Sequence, residues 1–261
     1  MLKVYKNNEE LSKSLAKYIV TKIKKKENIT LGCPGGRSLK KTYKYIGILS
    51  YKMNVDLSKV KIFMMDEYVI KDKKNNFKPC NTKLHYSCVG YSYRVIQKLF
   101  NYKKTKKKLI KSNIFFPKID KAKDYDKMIK KLGGIDIFLL ASGTTDGHVA
   151  FNNFKSNINS STHITKLSKQ TKLDNLKTFP KFKSLREVPK YGITVGLGTI
   201  YKLTKKAILV LSGKEKKKAA KIILSKKFYD NQWPATIVYK CKKQSINIDM
   251  DALGPRWKIT V

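Results

Sequence analysis

An α/β fold with a mostly parallel sheet is what this sequence predicts, on two observations. Five short apolar runs, residues 29–33, 60–65, 135–141, 207–212 and 235–240, are spaced along the chain with helical or connecting stretches between them. Runs this apolar belong to strands buried on both faces, the arrangement of parallel sheets covered by helices. The second observation is where the polar turns fall. Pro34-Gly35-Gly36-Arg37-Ser38, Asp66-Glu67 and the turn holding Asp146-Gly147-His148 each lie at the carboxyl end of one of these runs. In open α/β sheets ligands sit at that end.

Taken in order, the first element is a helix. Asn7 or Asn8 can cap it, and Leu11, Leu15, Ile19 and Ile23 recur on one face. Strand 29–33, the glycine turn and a periodic segment from Leu39 to about Tyr51 then read as strand, turn, helix. Residues 60–65 form a second strand that Asp66-Glu67 closes. Residues 71–90 read as an irregular basic loop, and 102–134 as lysine-rich connecting structure with one helix. Residues 135–141 are the third strand. Residues 207–212 and 235–240 are the last two, with a lysine-rich helix starting near Lys214 between them. No repeat and no linker divides the chain, so one domain over residues 1–261 is expected.

Composition narrows the function classes. The chain has 261 residues, 41% of them hydrophobic, enough for a large core without disulfide staples. No apolar run approaches the roughly 18 residues a membrane span needs, so no membrane partner is expected, and the N-terminus lacks the order of a signal peptide. Cys33, Cys80, Cys88 and Cys241 are scattered, which suits a reducing cytoplasm better than a disulfide framework. Lys and Arg number 58 against 18 Asp and Glu, a formal charge of +40. Such a field attracts anions. Only Arg37, Arg94, Arg186 and Arg256 are arginines, and the lysines are dispersed without a nucleic-acid-binding motif. A specific nucleic-acid partner is therefore not expected; an anionic small molecule is.

Each motif has a chemical and a bland reading. Backbone amides freed by Gly35 and Gly36 at a helix start can cradle a phosphate, with the Ser38 hydroxyl adding a donor, yet such turns also merely connect elements. Asp66 and Glu67 can shuttle protons, cap a helix or face solvent. His148, with a carboxylate two residues away at Asp146, has the makings of an oriented acid–base; a structural turn histidine is the competing reading. Cys80, His85 and Cys88 lack a second ligand pair for zinc. Neither a G-x-S-x-G elbow nor a G-x-G-x-x-G fingerprint occurs.

Four segments together resemble the glucosamine-6-phosphate deaminase and 6-phosphogluconolactonase superfamily. LGCPGGRSLKKTYKYI (31–46) is similar to its phosphate loop, and FMMDEYV (63–69) to the strand carrying its catalytic aspartate. TDGHVAFNN (145–153) is similar to its D-G-H-I-A-F-N-E turn, and VPKYGITVGLGTIYKLTKKAILVLSGKEK (188–216) to its V-P-K-Y-A-L-T-V-G-V-G-T segment and the strand beyond. The resemblance implies a three-layer α/β/α, modified Rossmann-like fold and an enzyme that needs no cofactor or metal. The deaminase branch converts glucosamine 6-phosphate to fructose 6-phosphate and ammonia. On this resemblance Asp66 is the base moving a proton between carbons 2 and 1, His148 opens the sugar ring, and Asp146 supports His148. Gly35, Gly36, Arg37, Ser38, Glu67, Lys177 and Lys216 are the substrate-binding set, with Lys177 and Lys216 on the phosphate. Asn153 stands where the family has a second histidine-supporting Glu, and Thr144 where it has Gly. The Gly35–Ser38 loop reads closer to the lactonase G-G-R-T, so three readings stay open: a deaminase, a lactonase in which His148 activates water, and a sugar-phosphate-binding module impaired in catalysis. His163 and Thr165 stand where hexameric relatives carry basic effector ligands. Assembly stays open between monomer and homo-oligomer.

Overall fold

The structure, a computed structural model, describes residues 1–26, 28–103 and 107–254. Residues 104–106 of the predicted connecting stretch and 255–261 at the end of the expected domain lie outside the described residues.

Helix α1 (Asn8–Lys25) begins as its sequence dictates. Asn7 accepts a hydrogen bond from the Glu10 amide at 3.0 Å, acidic residues fill the first turn and lysines the last, and Leu11, Leu15, Ile19 and Ile23 are buried. It lies between β1 (Leu2–Tyr5) and β2 (Thr30–Cys33). Helix α2 (Lys40–Lys52) follows the glycine turn, and β3 (Lys61–Met64) follows α2. The chain then leaves this sheet at Met65 and enters β4 (Asp66–Lys71), which belongs to a second sheet. Asp66-Glu67 thus opens a strand rather than closing one.

The expected loop 71–90 contains β5 (Phe77–Pro79) and runs into α3 (Cys88–Tyr91). Helical winding continues through a π-helical stretch, Ser92–Gln97, to α4 (Lys98–Phe100). The stretch from 102 contributes β6 (Ile114–Phe115) and α5 (Ala122–Lys131). Then come β7 (Ile137–Ala141), β8 (His163–Lys166), α6 (Lys169–Thr178), β9 (Tyr191–Thr194), α7 (Leu197–Lys202), β10 (Ala207–Leu211), α8 (Lys217–Lys226), β11 (Gln244–Asp249) and α9 (Met250–Leu253).

The main sheet has seven parallel strands in the order β1-β11-β10-β7-β2-β3-β6. Its strand residues alternate between two cores. Ile62, Met64, Ile137, Leu139, Ile208 and Val210 face a core shared with α1 and α2. Phe63, Phe138, Leu140, Leu209 and Leu211 face one shared with α5, α7 and α8. Burial on both faces explains why these strands read as continuous apolar runs. The smaller sheet is antiparallel, in the order β5-β4-β9-β8, with Asp66 opposite Thr194.

One predicted strand is corrected. Residues 235–240 lie in a 3₁₀ helix, Pro234–Lys240, opened by a proline in its first turn, and its Ala235, Ile237 and Val238 enter the second core. A short apolar run cannot declare its own period. The strand is instead β11, whose buried Ser245, Asn247 and Asp249 hide its character from hydropathy.

Chain direction places the site. From β2 the chain crosses to β3 on one side; from β7 it moves, through the second sheet, to β10 on the other. The carboxyl ends of β2 and β7 therefore flank the point where the strand order reverses, where such sheets open a crevice.

Candidate active site

A cavity of about 250 Å³ opens at that crevice. Its floor and rim come from Pro34–Ser38 after β2, Asp66 at the start of β4, Ser142–Thr144 and His148 after β7, and Ser212, Glu215 and Lys216 after β10. Helices α3 and α6 close its sides with Cys88 and Tyr91, and with Thr171, Asp174, Asn175 and Thr178.

The loop after β2 turns at Gly36, whose φ of +83° lies in the region side chains avoid. A Cβ on Gly36 would come to 3.8 Å from the Thr178 methyl of α6, and one on Gly35 to 3.9 Å from the Cys88 sulfur, so side chains here would narrow the cavity. Opposite this loop, Lys216 is half-buried. Its ammonium donates to the Ser142 carbonyl at 2.7 Å, with Thr144 Oγ1 at 3.5 Å. Burial pulls its pKa below the ordinary lysine value and Arg37 adds to this, while Asp174 and Glu215 pull the other way. An incoming anion would favour the charged form.

The His148–Asp146 pair is compact. Nδ1 of His148 lies 2.7 Å from Asp146 Oδ1, and the second carboxylate oxygen accepts from Ser168 Oγ at 3.0 Å. A carboxylate accepts only, so Nδ1 carries the proton and Nε2 is the free ring nitrogen. Burial alone would raise the Asp146 pKa, but hydrogen bonds from His148 and Ser168 hold it below the ordinary range. Gly143 is required here. A Cβ on it would lie 2.3 Å from His148 Nδ1 and 2.5 Å from Asp146 Oδ1. Thr144, standing where the family has Gly, keeps a negative φ, and its amide meets Asp174 Oδ2 at 3.4 Å.

Asp66 is buried. Burial pushes its carboxyl up to about 7, and the Glu67 charge adds to this, while the Cys88 thiol and His148 act in the opposite direction. A carboxyl with a pKa near neutrality, beside an oriented imidazole and a glycine loop with a lysine, is the composition of an acid–base site for an anionic substrate.

The family model for glucosamine-6-phosphate isomerases/6-phosphogluconolactonase matches residues 6–247. The chain belongs to this family. A glucosamine-6-phosphate deaminase of Clostridium beijerinckii is 32% identical over 254 residues, 95% of this chain and 96% of that protein. One of Malacoplasma penetrans is 33% identical over 236 residues, 87% and 89% of the two. The solved structure of a monomeric glucosamine-6-phosphate deaminase has a TM-score of 0.81 at 25% identity, over 96% of this chain and 98% of its own. A 6-phosphogluconolactonase from Leishmania guyanensis, at TM-score 0.68 and 15% identity over 99% of each chain, shares the fold.

Within this member of the glucosamine-6-phosphate isomerase/6-phosphogluconolactonase family, the fold brings Gly35, Gly36, Arg37, Ser38, Asp66, His148 and Lys216 to one cavity, with Asp146 bonded to His148. Three expected residues stand elsewhere. Glu67 does not line the cavity; it is buried among donors from β4 and α3. Lys177 is exposed: the cavity face of α6 is Thr171, Asp174, Asn175 and Thr178, spaced three and four apart, and Lys177 falls off that stripe. Asn153 is occupied in its own turn, accepting from the Lys155 amide at 2.9 Å, while its amide donates to Ser156 Oγ. Cys80 and Cys88 are buried around Glu67, and His85 packs edge-on against Phe182 with ring centroids 4.6 Å apart. Among the described residues, no group of three or more His, Cys, Asp and Glu is placed to hold a metal, and no helix is long and apolar enough to cross a membrane.

Asp174, Cys88 and Tyr91 escaped the sequence reading. For Asp174 the signal was present: Thr171, Asp174 and Thr178 share one face of a helix whose opposite face carries Lys172 and Lys169. Cys88 and Tyr91 reach the cavity only through the packing of a helix that the sequence reading left inside an irregular loop.

Proposed function

We propose that this protein deaminates glucosamine 6-phosphate, taking up water and releasing fructose 6-phosphate and ammonia. The observation that carries this reading is the sharing of one cavity by a carboxyl poised near pH 7, an imidazole with one nitrogen free, and a glycine loop facing a half-buried lysine. The loop amides of Gly35–Ser38, Arg37 and Lys216 hold the phosphate, a dianion remote from the reacting carbons. That binding energy orients the sugar.

His148, held by Asp146, protonates the ring oxygen as the ring opens and accepts the hydroxyl proton of carbon 1. Asp66, ionised, removes the proton from carbon 2 and returns it to carbon 1, which moves the carbonyl equivalent to carbon 2. Water then adds at carbon 2 and the carbon–nitrogen bond breaks, releasing ammonia. The resemblance of residues 145–153 and 188–216 to the deaminase pattern, together with the identities of 32% and 33% to proteins so named, supports this branch over the lactonase. Four free, buried cysteines support a cytoplasmic setting.

The test is an assay of the purified protein on glucosamine 6-phosphate, galactosamine 6-phosphate and 6-phosphogluconolactone, following ammonia release and lactone hydrolysis. Ammonia from the first substrate is expected. Lactone hydrolysis without ammonia release refutes the reading. His148→Ala should lower kcat by about 10²- to 10⁴-fold with KM little changed; wild-type turnover in that variant would remove His148 from the mechanism.

A further inference from the structure

Glu67 has no place in the chemistry above, yet it is one of the most heavily bonded side chains in the molecule. It is 3% exposed. Its Oε1 accepts from the Tyr68 amide at 2.7 Å, the Cys88 amide at 2.9 Å and the Cys80 thiol at 3.3 Å. Its Oε2 accepts from Ser87 Oγ at 2.7 Å and the Val89 amide at 2.8 Å. Every partner is a donor, so a carboxylate satisfies them all and an amide cannot. Three of them stand at the start of α3: the Cys88 and Val89 amides, which have no partner within the helix, and the hydroxyl of the capping Ser87.

What α3 carries gives this anchoring its meaning. Cys88 lines the cavity together with Asp66 and lowers the pKa of that carboxyl. One turn on, the Tyr91 hydroxyl donates to the Gly36 carbonyl at 2.6 Å. A Cβ on Gly35 would lie 3.9 Å from both Cys88 Sγ and a Tyr91 ring carbon, so α3 borders the loop across no more than the space one side-chain carbon would fill. Glu67 is also the chain neighbour of Asp66 in β4. One carboxylate therefore ties the strand bearing the base to the helix that touches both the base and the phosphate loop.

We propose that Glu67 is a positioning residue of the deamination site, locking α3 so that Cys88 sets Asp66 and Tyr91 sets Gly36. The inference rests on the functional reading above and goes beyond the substrate contact that the sequence suggested for Glu67. It also predicts a pH signature. Asp66 is faced by Glu67 and Tyr68 on its own strand, Cys88 on α3, His148 after β7, Tyr43 on α2 and Tyr125 on α5. The three tyrosines, pushed up by burial, stay neutral. Glu67 raises Asp66 through charge, and Cys88 lowers it through its thiol.

Three variants separate this role from bulk support. Glu67→Gln keeps the shape but turns an NH₂ toward donors; its kcat should fall, its KM rise, and the acid limb of its kcat/KM profile move to lower pH. Cys88→Ala should move that limb to higher pH with KM unchanged. Tyr91→Phe should raise KM for the sugar phosphate and the inhibition constant for inorganic phosphate roughly fivefold, the loss of one buried neutral hydrogen bond, without moving the limb. Should Glu67→Gln misfold, the opposed signatures of Cys88→Ala and Tyr91→Phe still decide. An acid limb unmoved in both Glu67→Gln and Cys88→Ala, or unchanged phosphate affinity in Tyr91→Phe, overturns the proposal. Wild-type protein that releases no ammonia overturns the functional reading instead, and the phosphate arm of Tyr91→Phe, read by calorimetry, remains a test of α3.

Discussion

Replacing Asp66 with Asn should make the protein more stable while abolishing turnover, and the gain should depend on pH in a set way. In the unfolded chain Asp66 has the ordinary carboxyl pKa of 3.8; in the fold, burial raises it to about 7. The folded state therefore holds a proton between those values that the unfolded state has lost, and stability falls as pH rises from about 4 to 7. Above about 7 both states are ionised and the penalty is complete. Three pKa units at 1.36 kcal/mol each amount to roughly 4 kcal/mol. Asn matches the size of the neutral acid but never ionises. Denaturant unfolding of both proteins at pH 4 and pH 8 reads the difference: near zero at pH 4, and up to about 4 kcal/mol in favour of Asp66→Asn at pH 8. Titration of the other carboxylates cancels in the comparison. Equal increments at both pH values, or none at pH 8, would refute the argument that the fold holds Asp66 at a raised pKa. The same residue predicts that wild-type kcat/KM declines as pH drops below about 7, because the base must be ionised.

The phosphate end of the cavity supports two further predictions. Lys216→Ala should raise KM by roughly 10- to 100-fold, the scale of a charged hydrogen bond, with a smaller effect on kcat; steady-state kinetics on the sugar phosphate reads this, and an unchanged KM would remove Lys216 from the phosphate site. Asp174 sits beside Thr144 and Lys216 and repels a dianion there. Asp174→Asn should tighten inorganic phosphate by about 1 kcal/mol, roughly fivefold, measured by calorimetry, whereas weaker binding would show that Asp174 holds the ligand.

The parallel sheet was legible because its core strands are buried on both faces, and Ile137–Ala141 and Ala207–Leu211 have no polar residue to confuse them. The outer strands were not. β1 is only four residues long, and β11 buries Ser245, Asn247 and Asp249 among its isoleucines, so neither gives an apolar run. The second sheet was hidden for another reason: β3 and β4 abut at Met65, and FMMDEYV reads as one strand where the chain in fact changes sheets. For the site, the residues in loops after strands were readable because topology alone brings those loops together. On a helix one position of rotation decides what reaches the cavity: Thr178 lines it and Lys177 does not. In a turn the side chain's local bonds decide, and Asn153 folds back on its own turn.

A carboxylate meant to take a proton from carbon near neutral pH must be poorly solvated, and the fold achieves this by seating Asp66 where two sheets part, between Met65 of the core and the antiparallel strands. That location denies Asp66 water, but it also denies it hydrogen-bond partners from regular pairing on its own side. Glu67, the next residue, is turned away from the cavity and takes five donors. The pair thus divides two incompatible demands between neighbours: one carboxylate left nearly bare for chemistry, the other saturated to fix the walls around it. Exchanging their environments would abolish both roles, since a fully bonded carboxylate has no lone pair left to take a proton from carbon and a bare one anchors nothing. The alternation of a strand, which sends successive side chains to opposite faces, is what makes that division possible within a single dipeptide.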